Sequence, residues 1–222
     1  MVMQQIPVYA FTGFLDSGKT KFIQETLEDP RFNAGERTLV LIFEEGEEEY
    51  DLSTYPKKNV YLEVLDQQTV TTEELKALQK KYKAERVVAE LNGMQQVGDL
   101  YMRFPDSWAI AQEVMFADAT TFMTYNANMR NLVMDKLMGA QMVVFNRMAP
   151  GQDVMPFHKL ARAANRRIDI LYDYTDGTTK FDEIEDPLPF DINAPVIEIK
   201  DEDYALWYRD VSEEPQKYDG KT

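Results

Sequence analysis

The segment Gly13-Phe14-Leu15-Asp16-Ser17-Gly18-Lys19-Thr20 constrains this chain more than any other. It fits Gly-x-x-x-x-Gly-Lys-Ser/Thr at every required position, the spacing of a phosphate-binding P-loop. The context agrees: the apolar run Ile6–Phe11 precedes it, and a helical pattern begins at Lys19. Gly13 and Gly18 permit backbone conformations that turn N–H groups inward around phosphates. The helix after the loop adds its N-terminal N–H groups and dipole. Lys19 is expected to reach the β- and γ-phosphates of a nucleotide, and the Thr20 hydroxyl to ligate Mg²⁺. Asp16 and Ser17 complete the loop. An acid beside phosphates repels them, so Asp16 is expected to point outward.

The rest of the chain supplies a matching scaffold. Apolar runs at Thr38–Phe43, Asn59–Leu65, Arg86–Glu90, Ile110–Ala117, Gln141–Phe145 and Ile168–Tyr172 read as strands. Helical spacing covers Lys19–Leu27, Thr72–Tyr82, Thr120–Met138 and Asp153–Ala164, the last with a kink expected near Pro156. Strands alternating with helices predict an α/β fold, here a three-layer P-loop NTPase with a mainly parallel sheet. Residues 1–180 form the expected nucleotide-binding domain. Residues 181–222 read as an acidic, Pro-containing linker and the start of a C-terminal extension, with one more strand at Pro195–Lys200.

Nucleotide sites gather at the C-terminal ends of strands. Glu90, closing Arg86–Glu90, is therefore the expected second acid, holding Mg²⁺ or orienting the attacking water. Three residues on, Gly93 could present its N–H to a γ-phosphate.

The 24 basic and 39 acidic residues give a net charge of −15, which disfavours general binding of nucleic acid or anionic lipid. With no cysteine and one histidine, the chain has no disulfide, thiolate zinc site or cysteine nucleophile. It carries no basic targeting segment and no run of about 18 apolar residues. A cytoplasmic protein without direct membrane insertion is expected.

These motifs together resemble the CobW/HypB/UreG family of GTPases over about residues 6–175. Gly13–Thr20 is similar to that family's Gly-Phe-Leu-Gly-x-Gly-Lys-Thr loop, and Glu90-Leu91-Asn92-Gly93 matches its Glu-x-x-Gly. Phe43-Glu44-Glu45-Gly46-Glu47, then Asp51, resembles its Asn-Glu-Phe-Gly-Glu switch pattern except at the first and third positions. The resemblance places Asn146 and Arg147 at its Asn-Lys-x-Asp guanine motif. It implies binding of GTP/GDP with Mg²⁺, slow hydrolysis, and a switch role for a metal- or transport-related protein partner or a homodimer. Lys19, Glu90, Glu44 and Asp51 are then the candidate catalytic residues, with Thr20 and Glu90 at the metal.

Three departures qualify this. Ala149 stands where the guanine-reading Asp belongs, which relaxes base discrimination and leaves ATP/ADP open. The stretch Leu65–Val70 lacks the Cys-x-Cys-Cys of many relatives, and the acids Glu44, Glu45, Glu47, Glu48, Glu49 and Asp51 read as a solvated switch loop rather than a cation site. The C-terminal part is short for the family. Trp207-Tyr208-Arg209-Asp210 resembles the entry into a small β-barrel domain, as though the chain were a piece of a longer protein.

His158 reads as a surface or packing residue. Arg162, Arg166 and Arg167 complement a helix end, or would act as a lid if the chain were a small-molecule kinase. The same residues are compatible with a non-catalytic nucleotide-binding module and with an inert P-loop scaffold.

Overall fold

The computed structural model describes residues 5–46, 48–55, 58–185 and 188–220. Within these residues eight strands form one sheet: β1 (Ile6–Thr12), β2 (Thr38–Ile42), β3 (Val60–Val64), β4 (Arg86–Glu90), β5 (Trp108–Asp118), β6 (Met142–Met148), β7 (Asp169–Tyr174) and β8 (Thr179–Phe181). Their order is β3-β2-β4-β1-β5-β6-β7-β8. All neighbours run parallel except β8, which folds back antiparallel on β7. Among the described residues seven helices accompany them: α1 (Lys19–Glu28), α2 (Thr72–Tyr82), α3 (Val97–Tyr101), α4 (Phe122–Asn128), α5 (Arg130–Gly139), α6 (Met155–Ala164) and α7 (Tyr204–Glu213).

Alternation along the strands sets the layers, because successive side chains point to opposite faces. In β2, Leu39 and Leu41 join a cluster with Leu75 of α2 and Leu100 of α3, while Val40 and Ile42 pack with Ile23 and Leu27 of α1. In β5, Met115 and Ala117 face α4, α5 and α6, and Val114 and Phe116 face the α1 side. Both faces are covered, so β2 and β4 are buried at every position, as central parallel strands must be. The result is the three-layer α/β P-loop NTPase fold. Strand β1 lies between β4 and β5, where strand order reverses. The C-terminal ends of these strands therefore border the crevice in which α/β proteins bind ligands.

Three details differ from the sequence reading, and a fourth feature belongs to the C-terminal segment. The helix expected over Thr120–Met138 is two helices, broken at Met129 (φ −133°, ψ 43°), beside which the Asn128 side chain donates to the Thr124 carbonyl. Pro156 sits in the first turn of α6, where a missing N–H costs nothing, so the helix starts there instead of kinking. Pro195–Lys200 forms no strand; Val196 is exposed, and the alternation there has no face to bury. Trp207 and Tyr208 lie on α7, with the Tyr204 ring against both at helical i+3 and i+4 spacing.

The chain divides into two compact units, Met1–Asp182 and Glu183–Thr222. The second contains α7 and a short 3₁₀ turn, Pro215–Tyr218, whose Tyr218 hydroxyl donates to Asp210. Among the described residues no helix is long and apolar enough to cross a membrane.

Candidate functional site

The loop between β1 and α1 shows why two glycines are needed. Gly13 has φ +137°, and a Cβ there would lie 2.2 Å from the Phe116 carbonyl oxygen. Gly18, at φ +93°, caps α1. Asp16 also adopts the left-handed region (φ 58°), which Asp tolerates better than most residues. Its side chain is exposed, as expected. Ser17 is buried, and among the described residues its hydroxyl has no hydrogen-bond partner.

Lys19 occupies the buried stripe of α1 with Ile23 and Leu27. Its ammonium donates to the carbonyls of Gly13 (2.8 Å) and Phe14 (2.9 Å) and pairs with Glu44 (3.0 Å). The other Glu44 oxygen accepts the Gly93 N–H at 3.2 Å. A Cβ on Gly93 would meet the Gly13 oxygen and the Phe14 Cα, each at 2.6 Å, so only glycine fits against the P-loop. Next in α1, the Thr20 hydroxyl donates to Glu90 at 2.7 Å. Glu90 is buried, and its second oxygen accepts from the Tyr50 hydroxyl. Burial raises the Glu90 carboxyl above its usual range, partly offset by the hydrogen bonds from Tyr50 and Thr20. Burial and the neighbouring Glu90 charge likewise raise the Tyr50 hydroxyl. Gly18, Lys19, Thr20, Glu44, Glu90 and Arg147 all line one cleft of about 130 Å³.

The structure therefore brings Lys19, Thr20, Glu44, Glu90 and Gly93 together. It does not bring Asp51 with them. The Asp51 carboxylate accepts from the Ser53 N–H and hydroxyl in its own turn, and Asp51 is not among the cleft residues. Tyr50, its neighbour, makes the contact instead. Of the remaining acidic run, Glu47 lies outside the described residues.

Asn146 and Arg147 reach the P-loop from the end of β6. Asn146 donates to the Ser17 carbonyl (2.6 Å), and Arg147 donates to the Asp16 carbonyl (3.0 Å) and pairs with Asp118. Ala149 has no side-chain acceptor to offer. Asp153, nearby in sequence, accepts the Met155 N–H at the start of α6 (3.0 Å).

Tyr50, Asp118 and Gln67 escaped the sequence reading. Gln67 accepts the Asn92 N–H and donates to the Gln96 carbonyl, bracing the loop after Glu90. The only sequence signal was position, next to Asp51, at a strand end, and in the stretch aligned with the absent cysteines. Among the described residues no group of three or more His, Asp or Glu side chains is placed to hold a metal ion. His158 is buried against Asp182 (2.9 Å), a packing role. Arg162 donates to the Arg166 and Ile168 carbonyls, and none of the three arginines lines the P-loop cleft.

A match to the CobW/HypB/UreG nucleotide-binding domain spans residues 7–171. The chain belongs to this family. Among curated proteins, none matches it significantly in sequence. Its fold is similar to that of the hydrogenase maturation factor HypB from Archaeoglobus fulgidus, with TM-score 0.52 and 16% identity over 78% of this chain and 83% of that one. It is similar also to the Zn(II)-bound YjiA GTPase from E. coli, with TM-score 0.54 and 18% identity over 76% of this chain and 57% of that one. At these identities the likeness is one of fold. The matched family domain is a nucleotide-binding one.

Proposed function

We propose that this chain binds a nucleoside triphosphate with Mg²⁺ at Gly13–Thr20, hydrolyses it slowly, and acts as a conformational switch for a metal- or transport-related protein partner. The nucleotide-binding domain is residues 1–180, with 181–222 as an extension, in a cytoplasmic setting. One observation carries the reading. Lys19, Glu44 and the Thr20–Glu90 oxygen pair line one cleft at the head of α1, and the Gly93 N–H joins them through Glu44.

The Thr20 hydroxyl and Glu90 carboxylate are hard oxygen donors on one side of the cleft, a set suited to Mg²⁺ completed by phosphate and water oxygens. Bound there, the ion would neutralise charge on the β- and γ-phosphate oxygens. The P-loop N–H groups cradle the phosphates. Lys19 stabilises the charge that develops as water attacks the γ-phosphorus in line. Glu90, held by Tyr50 and Thr20, orients the attacking water, and Glu44 controls access to Lys19. Asn146 and Arg147 brace the loop next to the base.

GTP and ATP are both candidate ligands, because Ala149 supplies no acceptor for the guanine N1–H and amino group. Phosphate release from GTP and ATP by the wild type and Lys19→Ala tests the reading. Equal rates in both proteins would sink it. Titration of labelled GDP and ADP measures base preference. A guanine preference above about tenfold, roughly 1.4 kcal/mol, would show that another group replaces the missing Asp.

A further inference from the structure

We propose that Glu44 is a specificity-determining residue, a built-in carboxylate substitute for the γ-phosphate that biases this site toward diphosphate and makes triphosphate entry displace the switch segment. The proposal rests on the nucleotide-binding reading above and deepens it. One Glu44 oxygen takes the Lys19 ammonium at 3.0 Å and the other takes the Gly93 N–H at 3.2 Å. Lys19 is the donor assigned to the β- and γ-phosphates and the Gly93 N–H the one assigned to the γ-phosphate, and a single carboxylate satisfies both. The side chain is nearly buried, at 10% exposure. Its root is fixed: the Phe43 N–H donates to the Glu90 carbonyl at 2.9 Å, and Leu65 N–H donates to Ile42. Glu44 is thus delivered to the cleft by the end of β2 and held there.

A γ-phosphate cannot share these donors with Glu44. It needs the same positions, and two anions at hydrogen-bonding distance from one ammonium repel each other. A diphosphate shares only Lys19 with Glu44 and leaves it on the Gly93 N–H. Triphosphate must expel the carboxylate, so its affinity is lowered by the stability of the Glu44 seat. Expulsion also moves the segment on the C-terminal side of Glu44. Tyr50 donates to Glu90, and the Asp51 N–H and carbonyl are tied to Gln24 of α1. Arrival of a γ-phosphate is thereby transmitted along this segment, where Glu45, Glu48 and Glu49 are exposed for a partner to read. By linkage, a partner that holds the segment away from Lys19 raises triphosphate affinity by the same factor.

The test compares dissociation constants for GDP and a non-hydrolysable GTP analogue, with Mg²⁺, in the wild type, Glu44→Gln and Glu44→Ala. Gln is isosteric, and thermal melting of both variants checks folding. The expected result is that both substitutions lower the triphosphate-to-diphosphate ratio of dissociation constants by about tenfold or more, with GDP affinity changing less than triphosphate affinity. An unchanged ratio in a wild type that binds both nucleotides overturns the role of Glu44 alone. So does a selective loss of triphosphate affinity, which would make Glu44 a ligand-side group rather than a competitor. A folded wild type that binds neither nucleotide overturns the proposal together with the P-loop reading.

Discussion

Gly93→Ala gives a quantitative test of how the Glu-x-x-Gly loop meets the P-loop. The added Cβ would sit 2.6 Å from the Gly13 oxygen and 2.6 Å from the Phe14 Cα. Both are backbone atoms of a tightly turned loop, so no flexible side chain can swing aside. Ordinary carbon contacts begin near 3.5 Å, so the loop must retreat by about 0.9 Å. The Gly93 nitrogen now lies 3.2 Å from Glu44, and a retreat of that size takes it beyond hydrogen-bonding range. A hydrogen bond to a charged acceptor is worth about 1.5–3 kcal/mol. Triphosphate affinity should therefore fall by roughly 10- to 150-fold, while diphosphate affinity falls far less. Glu44 leans on the same N–H, so its competition weakens too, and the lower end of that range is expected. Overpacking adds a stability cost of about 1–3 kcal/mol, equal to a melting shift of roughly 2–12 °C in a domain of this size. The assay is fluorescence titration with labelled GDP and a labelled non-hydrolysable GTP analogue, paired with thermal melting. Wild-type affinity for both nucleotides, or an equal loss for both, would refute the reasoning.

Asn146→Ala removes the bond to the Ser17 carbonyl; it should cost about 1 kcal/mol of binding for GTP and ATP alike, and a loss confined to GTP would show that Asn146 reads the base. Glu113 is buried, with Tyr101 donating to one oxygen and no partner to the other among the described residues. Burial raises its carboxyl, so its contribution to stability is present below the ordinary carboxylate range and is lost as pH rises through the raised value. Glu113→Gln should therefore raise the melting temperature at pH 7 by a few degrees, about 1 kcal/mol, and leave it unchanged at pH 4; lower stability at pH 7 would count against the argument. Lys136 is fully buried, with its ammonium on the Gln95 carbonyl at 3.0 Å, and burial lowers it from 10.5 to about 8. Between those values the unfolded chain binds the extra proton, so stability should rise with pH from about 8 to about 10.5. Urea unfolding should show that rise in the wild type and not in Lys136→Met; parallel profiles would refute it.

The strands and α1 were legible because their signals are local. Each central strand is an apolar run buried on both faces, and the P-loop spacing is dictated by backbone geometry at Gly13 and Gly18. The position of Glu90 followed from a strand end. What the sequence concealed depends on partners far along the chain. Tyr50 reaches Glu90 across 40 residues, and nothing in the acidic run distinguishes it from Asp51, which turns inward on Ser53 instead. The break at Met129 is invisible because Thr120–Met138 keeps helical apolar spacing on both sides of it.

The charge balance acquires a physical meaning at the cleft. Four of its lining residues are acids, Asp16, Glu44, Glu48 and Glu90, against three cations, Lys19, Lys21 and Arg147. Arg147 is paired with Asp118 and Lys19 with Glu44. Little positive charge is therefore left to draw in a polyanion. In the proposed reading, affinity would come from the loop N–H groups, the head of α1 and Mg²⁺, together with the Lys19 charge once Glu44 withdraws. A net charge of −15 is no obstacle to such a site. After β3, Gln67 ties the Asn92 N–H to the Gln96 carbonyl and so shapes the loop that presents Gly93.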